Sequence, residues 1–214
     1  MESLEELLRL AEAAHGHLCA GQVLGVRMAL LGCRRLGFED PRGRERKRLV
    51  TFIEIDRCAT DAIGVVTGCR LGKRALKFRD WGKMAATFAD LETGRAIRIV
   101  ALESSKQRAR ELYPETANKN AQQMQAYREM DDAELFGEQW VEVDLGPKEM
   151  PGYKGERIVC AGCGEGINYE RFVQRGDATL CLACAYPEQR YYRPASGQTA
   201  PPRQAASGSR CGCG

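Results

Sequence analysis

The sequence predicts a core that mixes helices with strands, followed by a small zinc-binding module. Three observations lead to this prediction. Two apolar-periodic segments near the start are typical of helices, several alternating segments after them are typical of strands, and two Cys-x-x-Cys pairs near the end have the spacing of zinc ligands. At 214 residues the chain has room for one domain of ordinary size and a small appendage.

Charge and cysteine content narrow the class of protein. Charged residues make up 29% of the chain, but the formal net charge is only +3, so nothing global favours a nucleic-acid or membrane partner. No apolar run approaches the ~18 residues of a membrane span, and the acidic first residues are unlike a signal peptide. We therefore expect a cytoplasmic protein whose ten cysteines are reduced thiols, available as metal ligands or reactive groups.

The first segment of the chain predicts two helices. Ser3 and Glu6 form a capping-box pattern at the start of the first helix. The second helix, predicted over 21–36, is apolar all round, so we expect it to be buried. Small residues recur at every fourth position along it, at Gly21, Gly25 and Ala29. Such a ridge is typical of close packing, either within the chain or across a dimer.

Between these helices lies His15-Gly16-His17-Leu18-Cys19, which contains both histidines of the chain. Imidazole and thiolate are side chains that hold borderline metals. In a regular helix His15 and His17 would point about 200° apart, so we predict a turn in which the donors converge. The alternative is that the histidines cap the helices and Cys19 is a core residue.

A second thiol, Cys58, follows the predicted strand 49–55. A helix is predicted to begin at Thr60 or Asp61. The Cys58 thiol would then face a helix N-terminus, where the dipole lowers a thiol's pKa and favours metal ligation. The alternative, for Cys58 as for Cys69, is a buried structural cysteine.

The rest of the core is predicted from turn and alternation signals. A basic loop over 42–48 is interpreted as a solvated connection, with phosphate binding as the alternative. Glu92-Thr93-Gly94 predicts a hairpin turn. Besides 49–55, the segments predicted as strands are 77–79, 83–88, 95–99 and 140–145. A Pro- and Gly-containing linker from 146 to 155 closes the core domain, 1–146.

The cysteine spacing near the end predicts a zinc ribbon over 156–193. Cys160 and Cys163 form one pair, and Cys181 and Cys184 form the other. Four thiolates suit a closed, structural zinc site that stabilises a small module without doing chemistry. A redox-active pair is the weaker alternative, because neither pair has a Trp-Cys-x-x-Cys-like context.

Residues 194–214 are poor in apolar side chains, so we expect a disordered tail. It ends in Cys211-Gly212-Cys213-Gly214. These two thiols could capture a soft metal or take part in thiol exchange, or they are incidental.

Together these motifs resemble the FmdE family, named for the E subunit of formylmethanofuran dehydrogenase, over residues 1 to about 145. The matching segments, in order, are His15 to Gly21, Gly25 to Met28, Asp56 to Ile63, Thr67 to Cys69, Gly72-Lys73 and Asp80 to Lys83. The sequence departs from the family pattern at Ala20 in place of proline, at Gly64 in place of glutamine, and at Arg74-Ala75 in place of Gly-Asn.

The resemblance implies an α+β core with a mixed four-stranded sheet, helices on one side of it, and pairing into a homodimer. It also implies that the His/Cys motif meets the Asp-x-Cys segment at a metal-binding cleft. We expect His17, Cys19 and Cys58 to hold a second divalent, zinc-like ion, with His15 and Cys69 nearby. Asp61 would act as a base or orient a ligand, so Cys58 and Asp61 are the catalytic candidates if the site is an active site.

Three functions fit these expectations. The first is a metal-binding accessory protein, associated with or descended from the molybdenum or tungsten formylmethanofuran dehydrogenase and its oxidoreductase subunits. The second is a stand-alone metalloenzyme with an open metal position. The third, a regulatory module contacting nucleic acid, is the weakest, because the basic residues are not interleaved with stacking aromatics.

Overall fold

The computed structural model describes residues 1–195. The chain divides into two compact units. Unit 1 contains Met1–Leu145 and Met150–Gly152, and unit 2 contains Gly146–Glu149 and the residues from Tyr153 onward. The predicted disorder of the tail and the Cys211/Cys213 pair lie outside the described residues. Within residues 1–195, no helix combines the length and the hydropathy needed to cross a bilayer.

Unit 1 consists of six helices and one five-stranded sheet within the described residues. The helices are α1 (Leu4–His15), α2 (Ala20–Leu36), α3 (Cys58–Thr67), α4 (Ser104–Leu112), α5 (Lys119–Glu129) and α6 (Asp132–Leu135). The strands are β1 (Leu49–Ile53), β2 (Leu76–Phe78), β3 (Ala85–Asp90), β4 (Ala96–Ala101) and β5 (Phe136–Val141).

The sheet is mixed, with strand order β2-β1-β3-β4-β5. The β1–β2 pair is parallel, with Thr51 opposite Leu76, and the other pairs are antiparallel. Alternate residues of the central strands, among them Phe88 and Ile97, join the helices in one hydrophobic core. The α+β class and the mixed sheet are therefore confirmed. The number of strands implied by the resemblance is wrong by one, whereas the alternation of the sequence itself indicated five.

The first two helices form as their sequences predict. The Ser3 hydroxyl accepts the Glu6 N–H, and the Glu6 carboxylate accepts the Ser3 N–H, which completes the capping box. Helix α2 is buried over most of its length, including Gln22 and Met28, which are both fully buried. Cys33 is fully buried in it, and burial raises the pKa of this thiol to about 12. It is a core residue, as predicted.

The ridge of small residues on α2 packs against α3 of the same chain. A Cβ atom on Gly25 would lie 2.5 Å from the carbonyl oxygen of Ala59 and 2.9 Å from the Cβ of Ala62. No real Cβ makes such contacts, so the two backbones meet here because Gly25 has no side chain. The ridge is thus used within the chain, and it does not itself support the predicted homodimer.

Helix α3 begins earlier than predicted. Cys58 is its first residue, and Arg57 is the N-cap, which makes no side-chain capping bond. Thr60 and Asp61 lie inside the first turn, and the Thr60 hydroxyl donates instead to the Ile55 carbonyl. The prediction failed because it relied on the usual capping preference for Thr and Asp, which tertiary packing overrides here.

The hairpin turn between β3 and β4 is confirmed, and buried Asp90 holds it together. Its carboxylate accepts the Glu92 N–H at 3.0 Å, the Thr93 hydroxyl at 2.9 Å and the Arg48 guanidinium at 2.8 Å. Burial alone would raise the pKa of Asp90, but these hydrogen bonds outweigh it and hold the pKa below its ordinary value. Through Arg48, Asp90 also fixes the end of the basic loop.

Unit 2 is small. Its strands are β6 (Ile158–Val159), β7 (Gly166–Ile167), β8 (Phe172–Arg175) and β9 (Ala178–Cys181), followed by the short helix α7 (Leu182–Ala185). They form two antiparallel hairpins, β6–β7 and β8–β9. The helix directly after Cys181 is an element that the ribbon prediction did not include.

We predict that Gly25→Ala destabilises the protein by about 1–3 kcal/mol, because the added methyl group overpacks the α2–α3 contact. Alanine is otherwise the better helix former, so its helix propensity would give the opposite sign. Denaturant unfolding measures the difference. Gly72→Ala is the control, since nothing lies within 4 Å of that Cβ position. A Gly25→Ala protein as stable as the unaltered one would contradict the close contact.

We predict that Asp90→Asn lowers the free energy of unfolding at pH 7 by roughly 1–3 kcal/mol. Because the folded pKa of Asp90 is depressed, its stabilisation is fully present above the unfolded pKa of about 3.9 and is lost as pH falls through the folded pKa. The difference between the two proteins should therefore shrink on acidification. Exposed Asp144→Asn is the control, and a difference that stays constant down to low pH would contradict this assignment.

Candidate metal centres

The four cysteines of unit 2 form one cluster. The sulfur atoms of Cys160, Cys163, Cys181 and Cys184 all lie within 4.8 Å of one another. Among the described residues, no other group of three or more His, Cys, Asp and Glu side chains is this close. The Sγ atoms of Cys163 and Cys181 are 3.9 Å apart, close to the roughly 3.8 Å expected between sulfurs around a tetrahedral zinc ion. The donor set therefore fits zinc.

The backbone of this cluster is shaped for thiolates. The Cys181 N–H donates to the Cys160 sulfur at 3.2 Å. Burial alone would raise the pKa of Cys160, but the N–H groups of Cys181, Cys163 and Gly162 lower it to about 6. For Cys184, burial and the neighbouring thiols raise the pKa to about 12. Thiols so close repel one another when ionised, so a cation is needed to keep all four deprotonated.

In unit 1, the contact between α2 and α3 brings two further thiols together. Cys19 is the N-cap of α2, and Cys58 is the first residue of α3. The Cβ position of Gly21 lies 3.7 Å from the Cys19 sulfur and 3.5 Å from the Cys58 Cβ. Glycine at this position leaves the space between the two helix N-termini open. Both thiols are half-buried.

The two histidines lie at the end of α1, beside the start of α3. The His15 Nδ1–H donates to the Asp61 carboxylate at 2.8 Å. The ring centroids of His15 and His17 are 4.8 Å apart, and Gly16 between them has a left-handed backbone, with φ +97°. His17 is exposed, and the Asp61 side chain is 56% exposed. The predicted turn is therefore present, and its imidazoles are accessible from solvent.

The pKa of Cys58 is shifted in the opposite direction from the prediction. Burial raises it, and the neighbouring Cys19 thiol raises it further by hydrogen bonding and by charge. The backbone N–H of Cys58 at the helix start lowers it, but by less. The sequence located the thiol near a helix N-terminus but did not place a second thiol beside it, and that second thiol determines the sign.

Cys69 lies at the other end of α3 from Cys58. It follows the helix C-cap Gly68 and is buried, with its sulfur 3.5 Å from the Thr51 hydroxyl and 3.4 Å from the Leu49 carbonyl. Burial raises the pKa of this thiol. The ten residues of α3 separate the two cysteines by about 15 Å. The structure does not bring Cys69 to the group formed by His15, His17, Cys19 and Cys58.

One residue near this group was missed by sequence reasoning. The side-chain oxygen of Asn120, in α5, accepts the N–H of Ala20 at 2.9 Å. It caps α2 in place of Cys19, whose side chain makes no capping bond. The Cys19 thiol is therefore not engaged by its own helix. Asn120 is 100 residues away in sequence, so no local pattern could have indicated it.

Fold and site together define an α+β protein with a C4 zinc finger. Residues 14–137 match the family model described as "FmdE, Molybdenum formylmethanofuran dehydrogenase operon". The chain belongs to the FmdE family. Residues 153–190 match the prokaryotic dksA/traR C4-type zinc finger. The finger and its four-cysteine cluster support zinc binding.

Two individual proteins are similar to this chain. A probable S-adenosyl-L-methionine-binding protein of Archaeoglobus fulgidus is 30% identical over 203 residues, which cover 85% of this chain and 53% of that protein. The chain thus spans about half the length of this curated relative. The crystal structure of a tungsten formylmethanofuran dehydrogenase FmdE-like protein from Syntrophus aciditrophicus has a TM-score of 0.59 and 21% identity, covering 88% of this chain and 95% of that chain. The likeness of structure supports the fold.

We predict that Cys160→Ser and Cys184→Ser each remove the finger zinc and unfold unit 2 alone, because zinc binding supplies ~10 kcal/mol or more of folding free energy to such modules. Zinc content and limited proteolysis measure this, with cleavage expected beyond Tyr153. Leu182→Ala, beside the second cysteine pair and exposed, is the control that should keep its zinc. Loss of the unit 1 thermal transition in the serine variants would contradict independent folding.

Proposed function

We propose that unit 1 binds one divalent, zinc-like ion through His17, Cys19 and Cys58, and that the chain serves as a metal-binding accessory protein. The observation that carries the proposal is the meeting of two thiols at the N-termini of α2 and α3, next to both histidines. Mixed nitrogen and sulfur donors suit zinc, nickel or copper(I), whereas magnesium and calcium prefer oxygen.

The Asp61–His15 hydrogen bond adds a fourth donor to this proposal. Metal-binding histidines commonly donate one ring N–H to a carboxylate, which orients the other ring nitrogen toward the ion. Asp61 holds the Nδ1–H of His15 in this way, which leaves Nε2 as the donor atom. We therefore assign His15 to the ligand set and Asp61 to its orientation.

The donors of unit 1 are more widely spread than the finger thiols, since only the finger group has all its ligand atoms within 4.8 Å among the described residues. A bound ion would draw these side chains inward, and rotation of the exposed His17 allows this. The dehydrogenase association comes from the family, whose model is described by the molybdenum formylmethanofuran dehydrogenase operon. Homodimerisation is likewise an expectation from the family resemblance.

A stand-alone metalloenzyme is the second candidate, and the exposure of His17 and Asp61 favours it. A catalytic zinc site keeps one position open for water or substrate, whereas a structural site is closed by four protein ligands. An ion held by Cys19, Cys58 and one histidine would have such an opening on the solvent side, and it would polarise a bound water or carbonyl group. Asp61 could then act as a base.

The S-adenosyl-L-methionine binding in the name of the archaeal relative is not carried over to this chain. The chain covers 53% of that protein, so the part responsible for the binding can lie in the remainder.

Metal analysis of the full chain tests the proposal. We expect two equivalents of metal per chain in the unaltered protein and one in Cys58→Ala, which removes a ligand of unit 1 and leaves the finger intact. Cys33→Ala, a buried cysteine elsewhere on α2, is the matched control and should retain both. Equal metal content in Cys58→Ala and the unaltered chain would contradict the proposed ligand set. With cobalt(II) in place of zinc, a visible spectrum that changes on adding azide would favour the enzyme over the accessory role.

A further inference from the structure

A second functional feature of unit 1 lies at the opposite end of α3 from the metal ligands. A cavity of about 730 Å³ opens beside Gly68, which ends α3, and Leu49, which begins β1. Cys58 is about 15 Å away along the helix. All residues that line the cavity belong to unit 1. Its volume is in the range of small-molecule sites, ~300–1,000 Å³.

The cavity is lined by cations from two separate segments. The cationic residues are Arg42, Arg46 and Lys47 of the basic loop, and Arg70 and Lys73 after α3. No Asp or Glu side chain is among the described residues that line it. Arg42 pairs with Glu2. The other four make no ion pair within residues 1–195, and all four are exposed.

The fold keeps acidic side chains of the same loop from neutralising these cations. The Asp40 carboxylate accepts the Gly43 and Arg44 N–H groups at 3.0 and 2.9 Å. The Glu45 carboxylate accepts the N–H groups of Glu39 and Asp40. Both acids are thus used to shape the turn of the loop. The result is a local excess of positive charge beside a hollow, which is a potential that attracts anions.

The remaining wall of the cavity is apolar. It includes Leu49, Ala75, Leu91, Met150 and Pro151. Leu91 is positioned by its N–H, which donates to the Arg48 carbonyl at 2.8 Å, and Arg48 is in turn bound to Asp90. Gly68 allows the loop to approach, because a Cβ there would lie 3.2 Å from the Arg42 Cγ. The cavity therefore combines a cationic side with an apolar side on a fixed frame.

We propose that this cavity binds a small phosphorylated organic molecule. Its phosphate would lie among Arg46, Lys47, Arg70 and Lys73, since guanidinium and ammonium groups form charge-assisted hydrogen bonds with phosphate oxygens. Its organic part would pack against Leu91 and Met150. Nucleic acid fits less well, because none of the described lining residues is an aromatic that could stack on a base.

Calorimetric titration of the full chain with 1-naphthyl phosphate tests this proposal, since the probe carries one phosphate and one apolar body. We expect saturable binding that is tighter than that of inorganic phosphate, and none for the neutral 1-naphthol. Arg70→Ala combined with Lys73→Ala should weaken binding at least tenfold, because two charge-assisted contacts are removed. The control with the same loss of charge, Arg44→Ala combined with Arg110→Ala, should change it less than twofold.

Arginine labelling by phenylglyoxal in the unaltered chain gives a second measurement that needs no variant. Bound 1-naphthyl phosphate should protect Arg46 and Arg70, whereas Arg44, outside the cavity lining, should react as before. Absence of saturable binding, or equal weakening in both double variants, would overturn the proposal. A single-stranded oligonucleotide that binds more tightly than 1-naphthyl phosphate, with the same dependence on Arg70 and Lys73, would replace the small ligand with nucleic acid.

Discussion

The close contact between α2 and α3 is the constraint on which the rest of unit 1 depends. A glycine within a helix is unfavourable by roughly 0.5–1 kcal/mol relative to alanine, yet at Gly25 any side chain would meet the Ala59 backbone at 2.5 Å. The contact places the start of α2 beside the start of α3. Cys19 and Cys58 become neighbours for this reason, although 39 positions of sequence, including a strand, separate them.

Helix α3 links the two sites that we propose in unit 1. Its N-terminus, with its partial positive charge, lies at the thiols and favours their ionised form when a metal is bound. Its C-terminus, with a partial negative charge of about half an electron, lies at the cationic cavity. The cations there outweigh this dipole, and they derive from segments on both sides of the β1–α3 unit. Metal and anion would therefore occupy opposite ends of one rigid element.

Local sequence patterns predicted the parts of the molecule that local chemistry determines. The capping box of Ser3 and Glu6, the hairpin turn at 92–94 and the finger cysteines belong to this group, because each depends on residues a few positions apart. Features created by tertiary contacts were missed. Asn120 caps α2 from 100 residues away, the Cys19 thiol reverses the pKa shift of Cys58, and Arg70 joins the basic loop only in the folded chain.

The central claim is that the α2–α3 contact builds a mixed nitrogen and sulfur metal site distinct from the finger. Cadmium-113 NMR of the full chain tests it most directly, because cadmium occupies zinc sites and its chemical shift reports the number of sulfur ligands. The account predicts two resonances, one from an all-thiolate finger and one shifted by imidazole, with only the second lost in Cys19→Ala. A single all-thiolate resonance at saturating cadmium would contradict it.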